Sequence, residues 1–134
     1  MFKFFLLYFS LISINIFARK PEITQLSPVY NVEDKEFYQI MCTLSKGTKP
    51  ILFEWFKNNK KLDSGSGIVI DSKASSSSLT FQEFRFSNSG NYSCRAKNSD
   101  GHHQTSTLLQ IKGLFFFLDS VFLDRCVALG LFRF

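Results

Sequence analysis

From residue 22 to residue 112, apolar side chains recur at every second position in short runs, and turn formers divide the runs. Alternate residues of an extended strand face opposite sides, whereas an amphipathic helix needs a stripe repeating about every 3.6 residues. No window of helical length carries such a stripe, so this part of the chain is confined to an all-β sandwich or barrel. The spacing predicts strands over residues 22–27, 29–33, 36–44, 51–57, 67–70, 78–82, 91–97 and 105–112. Pro28, Lys46-Gly47, Asn58-Asn59, the 63–67 run DSGSG, the 87–90 run SNSG and the 98–101 run NSDG stand at the breaks. These residue types turn a chain through fixed φ, positive φ or side-chain hydrogen bonds to the backbone.

Following each run in phase gives an inward set: Tyr38, Ile40, Cys42 and Leu44; Ile51, Phe53 and Trp55; Leu79 and Phe81; Tyr92, Cys94 and Ala96; Thr107, Leu109 and Ile111. Cys42 and Cys94 fall on inward faces of two strands and Trp55 on that of a third, an arrangement that sets the sole tryptophan against a buried disulfide. Free buried thiols are the alternative. Linking positions 52 apart would stabilise the fold by about 4 kcal/mol on the loop-entropy account. That is a large share of the stability of so small a domain.

The two ends differ from this body. Lys3 precedes fifteen uncharged residues, 4–18, and Arg19-Lys20-Pro21 then marks a change to polar sequence. The run is shorter than the roughly 20 residues a bilayer span needs, and its basic start and apolar middle predict a signal peptide over residues 1–18, cleaved after Ala18, with an uncleaved signal anchor as the alternative. The chain beyond Ala18 is then extracellular, where disulfides persist. Residues 113–134 are hydrophobic, but Asp119, Asp124, Arg125 and Arg133 interrupt them, so they do not read as a membrane helix. They read as a tail outside the folded domain, which occupies residues 21–112, and they hold the odd cysteine, Cys126. The chain's net charge of +5 suggests an acidic partner, but residues 21–112 carry eleven Lys+Arg against nine Asp+Glu, only +2. A general polyanion-binding role is therefore not supported by composition.

Cys42, Trp55 and the 88–94 run NSGNYSC together resemble the immunoglobulin superfamily: a strand-B cysteine, a strand-C tryptophan and a D-x-G-x-Y-x-C corner on strand F. Within it, the 50–58 run PILFEWFKN and the 89–101 run SGNYSCRAKNSDG are similar to intermediate-set (I-set) domains, most of all to N-terminal domains of arthropod Dscam-like adhesion proteins. The resemblance covers residues 21–112 and implies a two-sheet Greek-key sandwich with one inter-sheet disulfide, Cys42 to Cys94. It implies that Trp55 and Tyr92 are core residues, that the Tyr92 hydroxyl ties the E–F turn to the backbone, and that Gly90 supplies a tight turn. Asn88 departs from the family's usual Asp, and residues 67–71 offer no Arg to pair with it. The function implied is extracellular protein recognition: cell adhesion by a receptor fragment, homophilic, with membrane contact only through regions missing from this chain. A secreted single-domain binding or immune recognition factor is the alternative, and a muscle-type structural domain a remoter one. Binding candidates are the outward residues of 29–33 and 51–57, with Phe56 either an apolar anchor or satellite packing.

Other constellations carry less. Asn91-Tyr92-Ser93 is the single N-x-S/T sequon and makes Asn91 the glycosylation candidate. His102-His103 reads as a solvated hairpin tip, since two adjacent side chains rarely converge on one metal ion without further ligands. Lys57, Lys60 and Lys61 with Lys46 and Lys49 read as a solvated basic surface, without the interleaved aromatics of a nucleic-acid platform. Ser75 to Ser78, with Ser72, read as a turn between strands. No nucleophile, histidine and carboxylate fall in an arrangement for hydrolysis and no Gly-rich phosphate loop is present, so neither an enzyme nor a cofactor is expected.

Overall fold

The computed structural model describes residues 17–112, where the alternation resolves into two packed antiparallel sheets with one parallel pairing at an edge. The strands are β1 (Glu22–Ile23), β2 (Val29–Val32), β3 (Tyr38–Lys46), β4 (Leu52–Lys57), β5 (Lys60–Leu62), β6 (Ile68–Ser72), β7 (Ser76–Phe81), β8 (Gly90–Asn98) and β9 (Gly101–Ile111). A 3-10 turn, Phe86–Asn88, precedes β8. One sheet runs β1-β3-β7-β6 and the other β2-β9-β8-β4-β5, with β2 parallel to β9 from Val29 opposite Leu108 to Val32 opposite Ile111. Residues 1–16 of the predicted signal peptide and the tail 113–134 lie outside the described residues. Among the described residues no helix is long and apolar enough to cross a membrane.

The inward phase holds. Ile40, Cys42, Phe53, Trp55, Leu79, Phe81, Tyr92, Cys94, Ala96, Thr107 and Leu109 are buried between the sheets. Tyr38, Leu44, Ile51 and Ile111 are half-buried and pack against that cluster. Cys42 and Cys94 form the inter-sheet disulfide, with Cα atoms 6.3 Å apart.

Four local expectations change. The run 22–27 is a strand only at Glu22–Ile23, because the chain there leaves one sheet for the other. The crossing is stitched through the Ile23 N–H to His103 Nδ1 (3.0 Å) and the Leu26 N–H to Thr105 Oγ1 (3.1 Å). The Ser75 to Ser78 stretch is mostly strand: β7 begins at Ser76, and Ser77 shares the inward phase of Leu79 and Phe81 and is buried. The hairpin between β8 and β9 is tighter than expected, Asn98 pairing with Gly101, so His102 and His103 are strand residues. Lys60–Leu62, read as part of a solvated hairpin, adds an edge strand to β4.

Gly90 has two reasons to be glycine. Its φ is +154°, and a Cβ there would meet Asn58 Oδ1 at 3.0 Å. That Asn58 oxygen accepts the Asn91 N–H (3.0 Å), and the Asn58 N–H donates to the Asn91 carbonyl (2.8 Å), clamping the β4–β5 turn onto the start of β8. Asn58 and Asn59 take φ of +48° and +66°, the left-handed pair a two-residue hairpin requires and asparagine tolerates.

Candidate functional site

The residues at the centre of the sandwich hold its faces in place. Trp55 lies opposite Cys94 across the β4–β8 ladder and donates its Nε1–H to Ser77 Oγ (2.9 Å), which shares a second hydrogen bond with Ser72 Oγ (2.8 Å). The indole, the disulfide and the β6–β7 hairpin are thereby joined across the core. Tyr92 donates its hydroxyl to the Asn88 carbonyl, as the tyrosine-corner resemblance implied, and meets the Phe81 ring edge-on at 5.5 Å. Burial pushes the Tyr92 hydroxyl well above the ordinary tyrosine pKa. Asn88 has its own role: its Oδ1 accepts the Arg85 N–H (2.9 Å) and closes the 3-10 turn. Phe84, absent from the predicted inward set, is fully buried and packs edge-on against Phe81 at 5.1 Å. It lies in a connection without strand periodicity; its only signal was an aromatic residue among polar neighbours.

Binding candidates occupy the outer face of the β2-β9-β8-β4-β5 sheet. Three rows cross it. Leu52, Lys97 and His102 lie opposite one another, then Glu54, Arg95 and Gln104, then Phe56, Ser93 and Ser106. Leu52 is 58% exposed. Phe56 is half-buried under the Arg95 guanidinium, whose Cζ lies 4.6 Å from the ring centroid, and Arg95 Nε bonds Gln104 Oε1 (3.1 Å). Phe56 is therefore packed, under a β8 side chain and not under the turn after β4, and is not a free anchor; Leu52 is the exposed apolar side chain of 51–57. Lys61 Nζ bonds Glu54 Oε1 at 3.0 Å, so the middle of the face carries both signs of charge. Nearer β2, Asn91 lies opposite Leu108 and Leu108 opposite Val29, which sets the exposed sequon asparagine beside two partly exposed apolar residues.

The remaining candidates separate. Lys57 does not belong to a basic surface: it shares the inward phase of Trp55, donates to the Ser87 carbonyl (2.6 Å) and lies 5.7 Å over the Tyr92 ring. Its burial lowers its pKa. Lys60 and Lys61 sit at the β4–β5 hairpin, while Lys46, the last residue of β3, and Lys49, just beyond it, lie at the opposite end of the sandwich. His103 accepts a backbone hydrogen bond, and among the described residues no group of three or more His, Cys, Asp or Glu gathers to hold a metal. Both cysteines among these residues are consumed by the disulfide, so neither is a free nucleophile. The arrangement can bind through an extended, rigidly backed surface.

The family description that matches, immunoglobulin I-set domain, covers residues 21–111. Among curated proteins, the mouse (Mus musculus) cell adhesion molecule DSCAML1 is 31% identical over 87 residues, which is 65% of this chain and 4% of that protein. Rat (Rattus norvegicus) vascular endothelial growth factor receptor 2 is 34% identical over 79 residues, 59% of this chain and 6% of the receptor. This chain thus corresponds to a small fraction of these relatives. Among solved structures, the Dscam1 Ig7 domain, isoform 5, superposes with a TM-score of 0.64 at 26% identity, covering 69% of this chain and 96% of that one. Titin domain M7 superposes with a TM-score of 0.64 at 24% identity, covering 72% and 97%, a likeness of fold alone.

Proposed function

Because this chain belongs to the immunoglobulin I-set family, we propose that it is an extracellular recognition module that takes part in cell adhesion by pairing with a second copy of itself. The observation that carries this reading is the outer face of the five-stranded sheet, where exposed Leu52 borders a middle row bearing Glu54 and Arg95. A face that offers an apolar residue and both charges can meet its own copy about a two-fold axis, each cation reaching the other copy's anion. The likeness to DSCAML1, a cell adhesion molecule, supports the adhesion reading.

Asn91 decides how much of this face is open. Neighbouring strands are about 5 Å apart, so a glycan on Asn91 would overlie Leu108 and Val29 and leave the Leu52 side free. We assign Asn91 as glycosylated and the Leu52 side as the contact. Two measurements on protein secreted from eukaryotic cells test this. Glycosidase treatment should remove one N-glycan from the wild type and nothing from Asn91→Gln. Beads coated with the full chain should aggregate, and Leu52→Asp should abolish aggregation. Wild-type beads that stay dispersed would refute self-pairing, and an unmodified Asn91 would refute the shielding.

A further inference from the structure

The described residues carry thirteen Lys+Arg against nine Asp+Glu, a net +4, and the fold distributes this excess unevenly. One end of the sandwich is formed by the approach to β1, the β3–β4 and β6–β7 connections and the β8–β9 hairpin. These segments are tied together: the Thr48 N–H donates to the Arg19 carbonyl (2.9 Å), Asn98 Nδ2 donates to the carbonyls of Arg19 (2.8 Å) and Thr48 (2.9 Å), and the Leu44 N–H donates to the Ser75 carbonyl (2.8 Å). Arg19, Lys20, Lys46, Lys49, Lys73 and Lys97 gather there, all exposed, against three carboxylates, Glu22, Asp71 and Asp100. The remaining seven cations face six anions, so three of the four net charges reside at this end.

Ion pairing sharpens the contrast. Elsewhere three of the seven cations, Lys61, Arg85 and Lys112, are held by Glu54, Glu83 and Glu33. At the basic end, only Lys46 has a carboxylate partner among the described residues, Glu22 at 3.5 Å. The other five are unpaired on four separate segments, which leaves their mutual repulsion uncompensated.

We propose that this end binds a linear sulfated polysaccharide of the heparan sulfate class. Lysine ammonium groups on long exposed stems are point charges without a fixed geometry, suited to the repeating anions of a flexible polymer. The connecting residues 46–51, 73–75 and 97–102 contain no Phe, Tyr or Trp on which bases could stack, and the exposed Phe17 of the approach to β1 leaves with cleavage after Ala18, which disfavours a single-stranded nucleic acid. Cleavage after Ala18 would add the freed amine of Arg19 to the same cluster, because the Arg19 nitrogen lies 2.7 Å from Thr48 Oγ1. The choice of a sulfated glycan rests on the extracellular reading; Lys97 borders the adhesive face beside Leu52, whereas Lys20, Lys49 and Lys73 lie off its three rows.

The test measures binding of the full chain to a heparin-derived dodecasaccharide at about 0.15 M salt, where long-range attraction is already screened. Lys20→Glu, Lys49→Glu and Lys73→Glu are combined in one variant; Lys35→Glu, Lys60→Glu and Lys61→Glu, at the opposite end, make a control with the same change in net charge. The basic-end variant should lose more than about tenfold in affinity and show a shallower salt dependence, since each neutralised contact contributes to the slope. The control should stay within about threefold, as expected for distant screened charges. Both variants should keep near-ultraviolet circular dichroism of the buried aromatics. No binding by the wild type, equal losses in both variants, or equal competition by polyglutamate of matched charge would overturn the proposal. Bead aggregation by the basic-end variant reports separately on the adhesive face.

Discussion

Ser77→Ala isolates one interaction that the sequence pattern hides. Ser77 and Trp55 are both essentially buried, and Ser77 Oγ accepts the indole N–H at 2.9 Å. Removing the oxygen deletes little volume and leaves the Trp55 donor buried without its partner, at a cost of about 1–3 kcal/mol. Ser72→Ala removes the other hydrogen bond of the pair, but Ser72 is exposed and the indole keeps its acceptor, so the cost should stay near 0.5–1 kcal/mol, as for an ordinary net hydrogen bond. In a domain this size, 1 kcal/mol shifts Tm by roughly 4–8 °C, so thermal melts followed by far-ultraviolet circular dichroism resolve the two. A double-mutant cycle completes the test. In a Trp55→Phe background there is no N–H left to strand, and Ser77→Ala should cost less than about 0.5 kcal/mol. Equal costs of Ser77→Ala in the two backgrounds would refute the reasoning, because the penalty would then come from packing and not from the lost acceptor.

Replacing Cys42 and Cys94 by Ala opens a 52-residue link and should lower stability by about 4 kcal/mol, measured by urea denaturation, with a steeper slope because the unlinked denatured chain exposes more surface. Gly90→Ala must take φ of +154° and press a Cβ onto Asn58 Oδ1; a loss of more than about 1 kcal/mol is expected, and a neutral result would contradict the clamp. Tyr92 titrates above its unfolded value of about 10 because burial disfavours the phenolate. The unfolded chain therefore releases this proton first, so stability is full below pH ~10 and falls as pH rises beyond it. In Tyr92→Phe that alkaline slope should flatten, though Tyr38, also raised by burial, keeps part of it.

The alternation of apolar residues was sufficient to place the strands in phase, because a period of two ties every second side chain to one face whatever the partner strand is. Cys42, Trp55 and Cys94 were legible for that reason, as were Tyr92 and the turns at Asn58-Asn59 and Gly90, whose φ values are local demands. Ser77 was within reach too, two positions before Leu79 in the same phase, but its polarity and its serine neighbours spoke for a turn. Other features had no local signal. Lys60–Leu62 becomes a strand because β4 presents an edge to pair with, and residues 22–32 divide between two sheets because their hydrogen-bond partners on β3 and β9 are distant in sequence. Charge behaved the same way. Counting along residues 21–112 showed a nearly balanced chain, whereas the topology returns Lys46, Lys73 and Lys97 to one end. Side-chain phase is a property of a strand alone; which strands, charges and apolar rows become neighbours is a property of pairing between distant segments, and tertiary structure alone decided it.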